Sequence, residues 1–132
     1  MTKKEELLEK VQKSVHSNNF DDARKHAYEA CSLFPDDAEC HYFLAEIYRL
    51  EASKSPLIGS SLCKISLTEF KKVWDLDISL GISSISRIIE VLRCIAMSED
   101  DDRVIMILEQ IRTNTYYGDK TQTIKMLMEK YC

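Results

Sequence analysis

Apolar side chains that return every three or four residues, in a chain with little to interrupt them, set the strongest limit on this fold. From Glu5 to Val15 they fall at Leu7, Leu8, Val11 and Val15, the spacing of one helical face. Only three glycines and two prolines occur among 132 residues, so few turns are obligatory and an architecture of many short strands is disfavoured. An all-α protein follows, and the length suits one domain with a single core.

The breaks between helices are local. Ser17-Asn18-Asn19 ends the first helix, and Asp21 or Asp22 is expected to cap a second with Ala23, Ala27, Ala30, Cys31 and Phe34 on one side. Pro35 stops it, and Asp36-Asp37 opens a third helix from about Asp37 to Ala52. Residues 53–61, with Pro56, Gly59 and four serines, are expected to form a surface loop. Leu62, Ile65, Leu67, Phe70, Val73, Trp74 and Leu76 predict a fourth helix. A fifth, carrying Ile85, Ile88, Ile89, Val91, Leu92 and Ile95, is apolar on more than one face and is expected to be central. The acidic run Glu99 to Asp102 starts a sixth through about Thr113, and Asp119 starts a seventh that ends at Tyr131.

The net charge is −4 and Lys and Arg are scattered, so no basic stripe favours nucleic acid or an anionic membrane. No run of about 18 apolar residues and no signal-peptide pattern is found, which points to the cytoplasm or the nucleus. Five cysteines without a Cys-x-x-Cys pair suit a reducing compartment and buried thiols rather than a disulfide framework.

Ala23-x3-Ala27 followed by Pro35, with Phe20 just ahead, and then His41-x2-Leu44-Ala45-x2-Tyr48 resemble the 34-residue tetratricopeptide repeat, with Ala45 in place of Gly and His41 in place of Trp. The resemblance covers residues 5–50. Ser66-x3-Phe70 restores the second-helix spacing after about nine extra residues, the length of the 53–61 loop. It implies a right-handed α-solenoid of about seven antiparallel helices. The first repeat would span about residues 4–36, the second about 37–78 with the loop inserted, and degenerate helices about 79–132. The segment from Ala23 to Pro35-Asp36 also looks like a helical region preceding the J-domain of some co-chaperones, without the His-Pro-Asp that a J-domain needs.

In that family the first helices of successive repeats line a concave groove for a peptide or partner helix. By register, the resemblance assigns Leu8 and Gln12, then Tyr42, Glu46 and Arg49, then Ser86, Glu90 and Arg93 to such a groove. Tyr42 and Arg49 are residue types that dominate binding energy at interfaces. The alternative is that Tyr42 packs on a neighbouring helix and Glu46 and Arg49 are solvated surface charges. Members that grip an acidic, carboxylate-ending tail use cations at positions that here hold Leu8, Gln12, Phe43 and Glu46. An acidic tail is therefore not the expected partner, and a basic or apolar segment is.

No phosphate loop, nucleophile elbow or His-Glu-x-x-His occurs, so catalysis and a cofactor are not expected. The acidic run Glu99 to Asp102 reads as a helix start rather than a calcium loop. His16, His26 and His41 have no zinc-like spacing to the cysteines, although Cys40 adjoins His41 and Cys31 lies nearby, and no metal is expected. The leading expectation is a protein-interaction adaptor or scaffold. A second is an obligate subunit or homo-oligomer in which Met126, Leu127, Met128 and Tyr131 form an exposed apolar patch. A third, weaker, is a helical enzyme or ligand-binding protein.

Overall fold

The computed structural model describes all of residues 1–132, as eight helices and no strand. They are α1 (Lys3–His16), α2 (Phe20–Leu33), α3 (Ala38–Ser53), α4 (Gly59–Leu76), α5 (Ile78–Ser83), α6 (Ile85–Ser98), α7 (Asp102–Arg112) and α8 (Lys120–Tyr131). No helix is long and apolar enough to cross a membrane.

The chain makes its turns with Asn and Asp in place of glycine. After α1, α6 and α7 a single residue adopts left-handed backbone, Asn18 (φ 58°), Asp100 (φ 53°) and Asn114 (φ 58°). In each case the next amide reaches back to the helix, Asn19 to Ser14 (2.8 Å), Asp101 to Ala96 (2.9 Å) and Thr115 to Gln110 (2.8 Å). This double-bonded ending satisfies carbonyls that a helix terminus otherwise leaves open. In the first two, the residue after the left-handed one caps the next helix: Asn19 accepts from the Asp22 amide and Asp101 from the Val104 amide. Asn19, rather than Asp21 or Asp22, is therefore the cap of α2, because the left-handed turn at Asn18 already aims its side chain at the helix start.

Eight helices stand where about seven are expected. The additional one is α5, six residues capped by the Asp77 side chain on the Leu80 amide and too short to show a period. It fits because Gly81 lies against Trp74: a Cβ there would stand 2.9 Å from the Trp74 ring and 3.0 Å from its Cα. The 53–61 loop is also shorter than its composition suggests. Residues 59–61 belong to α4, and Gly59 is buried where a Cβ would meet the Ala52 carbonyl at 3.1 Å.

Three apolar clusters hold the helices together. Ala23, Ala27 and Ala45 are fully buried. The first two join Val11, Leu44, Ile47 and Tyr48, while Leu7, Leu8, Ala30 and Cys40 form a small neighbouring cluster. The main core of 18 residues lies between α4, α6, α7 and α8, around Phe70, Trp74, Ile88, Leu92 and Ile95, and takes Ala45 from α3. As its apolar surface predicts, α6 is central, packing on α4, α5, α7 and α8. Ile65 and Leu76 of α4 lie outside this core and are about two-fifths exposed. Helices α3 and α4 share the longest interface, crossed by a buried hydrogen bond from Ser66 Oγ to the Ala45 carbonyl (2.7 Å).

Candidate functional site

On α3, Glu46 and Arg49 stand one turn apart, so their side chains meet. Arg49 donates from Nε and Nη2 to the two Glu46 oxygens (2.9 Å each) and from Nη1 to Glu90 of α6 (3.0 Å). From α6, Arg87 brings Nε within 3.2 Å of Glu46 but off the N–H direction, leaving that buried N–H without a sound acceptor. The Arg87 guanidinium also lies 5.9 Å from the centre of the Tyr42 ring. Tyr42 sits edge-on to Phe43 and Phe70, with centroids 5.8 and 6.3 Å apart. Burial, and then Glu46, push the Tyr42 hydroxyl pKa up against the opposing Arg87 and Arg49. The Glu46 hydrogen bond raises that of the Arg49 guanidinium.

This bridge separates two open clefts. Between α1 and α3, a cleft of about 290 Å³ is walled by Val11, Val15, Ile47 and Leu50, with Gln12, Tyr42 and Glu46 at its polar side. Beyond α6, a cleft of about 870 Å³ has Ile82, Ile85, Ile89, Met97 and Ile111 as apolar walls and is edged by Ser86, Glu90, Arg93, Arg112 and Lys120. Thus Gln12, Tyr42 and Glu46 line one cleft, Ser86, Glu90 and Arg93 line the other, and Arg49 joins Glu46 to Glu90 between them. Leu8 does not join them: it is buried with Leu7, Ala30 and Cys40. Both leucines of α1 face inward, which register counting does not distinguish. Arg87 is not among the residues the register assigns, although its position three residues before Glu90 puts both on one face of α6, and both reach α3.

The C-terminal apolar residues are placed differently from the subunit reading. Leu127 and Met128 are buried in the chain's own core, Tyr131 packs against it, and only Met126 is exposed. They therefore do not form an exposed patch. Of the acidic run only Asp101 and Asp102 start α7, since Glu99 ends α6 and Asp100 makes the left-handed turn. Asp101 does more than cap: its second oxygen accepts from Lys130 Nζ (2.6 Å) and Tyr131 OH (2.8 Å), tying α8 to α7.

A second cluster lies on the other side of α3, where the sequence spacing suggests no site. The donor atoms of Cys31 (α2), His41 (α3) and Glu69 (α4) all lie within 4.8 Å of one another. His41 and Glu69 are buried, with Nδ1 3.0 Å from Glu69 Oε1 and Nε2 2.7 Å from the Pro35 carbonyl. Lys72 Nζ holds the other Glu69 oxygen at 2.8 Å. Burial, followed by the Glu69 charge, pushes the Cys31 thiol pKa up to about 12.

Comparison with known proteins returns no match: no family model fits the chain, and neither the curated proteins nor the solved structures contain a significant relative.

Proposed function

We propose that this chain is a non-catalytic interaction adaptor that seats an apolar segment of a partner protein across the α1–α3–α6 face. The reading carries with it a tetratricopeptide-like stacking of helix pairs. Sequential packing of α1 on α2, α2 on α3 and α3 on α4, with α1 also touching α3, supports that stacking, as do the three buried alanines. The observation that carries the function is the pair of apolar clefts meeting at a fixed bridge of Tyr42, Arg49 and Arg87. Ordered aromatic and guanidinium groups lose little freedom when a partner closes over them. Glu46 and Glu90 are already matched by Arg49 and Arg87, which leaves the bridge balanced in charge and favours an apolar segment over a basic one. Five free cysteines support a reducing, cytoplasmic setting.

The test compares crosslinked partners of the intact chain with those of two variants, Tyr42→Ser combined with Arg49→Ala, and Ser86→Arg. Ser86 is exposed in the larger cleft, so its replacement blocks the surface without touching the core. Both variants are expected to lose the same partner. Retention of that partner by either variant, with a native circular dichroism spectrum, overturns the assignment of this face.

A further inference from the structure

We propose that Cys31, His41 and Glu69 form a binding site for a divalent zinc-type metal ion, with one coordination position open to solvent. The three side chains arrive from three helices and bring one sulfur, one nitrogen and one oxygen donor within 4.8 Å of each other. Zinc bonds of about 2.0–2.3 Å place tetrahedral ligands roughly 3.5 Å apart. His41 Nδ1 and Glu69 Oε1, 3.0 Å apart, need only a small separation to admit the ion. A thiolate with an imidazole selects zinc and its neighbours over magnesium or calcium, which prefer all-oxygen shells.

What distinguishes the cluster from a simple polar clamp is that the outer partners of two ligands are already in place. The Pro35 carbonyl can only accept, so the 2.7 Å contact puts a proton on His41 Nε2 and directs Nδ1 toward the cluster. A backbone carbonyl on the far ring nitrogen is the usual support of a metal-bound histidine. Glu69 is held in the same way: Lys72 fixes Oε2 and leaves Oε1 for the ion.

Charge balance favours the exchange as well. Ligation takes the Cys31 thiolate, the Glu69 carboxylate and the neutral His41 Nδ1, and any proton these atoms carry passes to solvent as the ion enters. A dication with one thiolate and one carboxylate is neutral, which avoids the cost of an unpaired buried charge. The open position faces a shallow cleft of about 440 Å³ that Tyr28, Ser32 and Thr68 also line. Three protein ligands leave the fourth tetrahedral position to water or an incoming donor atom.

The experiment is a titration of the full, reduced, chelator-stripped chain with Co²⁺, whose visible and near-ultraviolet bands report geometry and thiolate ligation. One Co²⁺ per chain is expected, with a sulfur-to-cobalt charge-transfer band and displacement by Zn²⁺. Cys31→Ser should abolish that band, and Glu69→Gln should weaken binding by at least about tenfold, the lower bound typical even of outer-shell partners. Cys40→Ser should leave the band in place. Circular dichroism confirms that each variant is folded, and Cys31→Ser, a near-isosteric change at a half-buried site, keeps the test decisive if Glu69→Gln does not fold. Absence of the charge-transfer band in the wild type, or its survival in Cys31→Ser, overturns the proposal.

Discussion

The two ends of the molecule are held by different physics. In α1 to α3 the buried side chains form two modest clusters in which small residues, Ala23, Ala27, Ala30 and Cys40, are set among Leu7, Leu8, Val11, Leu44, Ile47 and Tyr48. From α4 to α8 one continuous core of 18 residues is built on Phe70, Trp74 and a run of isoleucines and leucines. The first region depends on fit, because a close-packed interface of small side chains has no room to adapt. The second depends on amount, because its stabilisation scales with apolar area removed from water. Helix α3 belongs to both, giving Leu44, Ile47 and Tyr48 to one and Ala45 to the other.

The largest effect is expected where amount matters. Phe70 is fully buried and its ring meets Tyr42 across the α3–α4 interface. Phe70→Ala should cost about 3–5 kcal/mol in urea denaturation, the range for an aromatic truncated in a core. The long α3–α4 interface couples the two regions, so Trp74 fluorescence and the near-ultraviolet signal of the Tyr28–Tyr48 pair should report one transition. Separate midpoints would divide the molecule into two independent units and break the comparison into two proteins' worth of stability.

Where fit matters, the informative change adds atoms. Ala27 is fully buried against α1 and α3, and Ala27→Leu should cost about 1–3 kcal/mol, measured by the same denaturation, through overpacking. A neutral or stabilising result would mean that the first region has slack and differs from the second only in size.

The same division explains what was legible beforehand. The alanine spacing, Pro35 and the capping residues Asp37, Asp101 and Asp119 act over four or five residues, so helix limits could be read from neighbours alone. Helix α5 depends on Gly81 meeting Trp74, and the start of α4 on Gly59 meeting Ala52, and neither approach leaves a local trace. The grouping of Tyr42, Glu46 and Arg49 rests on the register that the tetratricopeptide resemblance implies, while the ion pairs that neutralise Glu46 and Glu90 depend on how α6 rotates against α3. The Cys31, His41 and Glu69 cluster was least visible. His41 occupies a position where the repeat pattern has an aromatic, and Glu69 lies 28 residues further on in a segment that reads as an ordinary charged helix face.

The smallest expected effect concerns a device that both regions share. Asp37 caps α3 and accepts from Lys4 of α1 (2.7 Å), much as Asp101 caps α7 and holds Lys130 and Tyr131 of α8. For Asp37, burial raises the carboxyl pKa, but the Lys4 hydrogen bond and the Cys40 and Glu39 amides outweigh it and leave a net lowering. Asp101 is lowered chiefly by Lys130 and then by Tyr131. A carboxylate whose pKa falls on folding adds stability above its unfolded value near 3.9, and that contribution is lost as pH drops through the folded value. Acidification below about pH 4 should therefore loosen α1 and α8 together. Asn still caps a helix, so Asp37→Asn and Asp101→Asn should remove the tether alone, with a cost below about 1 kcal/mol for Asp37 given its partial exposure. Hydrogen exchange at pH 7 should show faster exchange in α1 for the first variant and in α8 for the second. Faster exchange across α4 and α6 in either would mean that these carboxylates brace the cores themselves, and the contrast between fit and amount would then understate how much each end relies on charge.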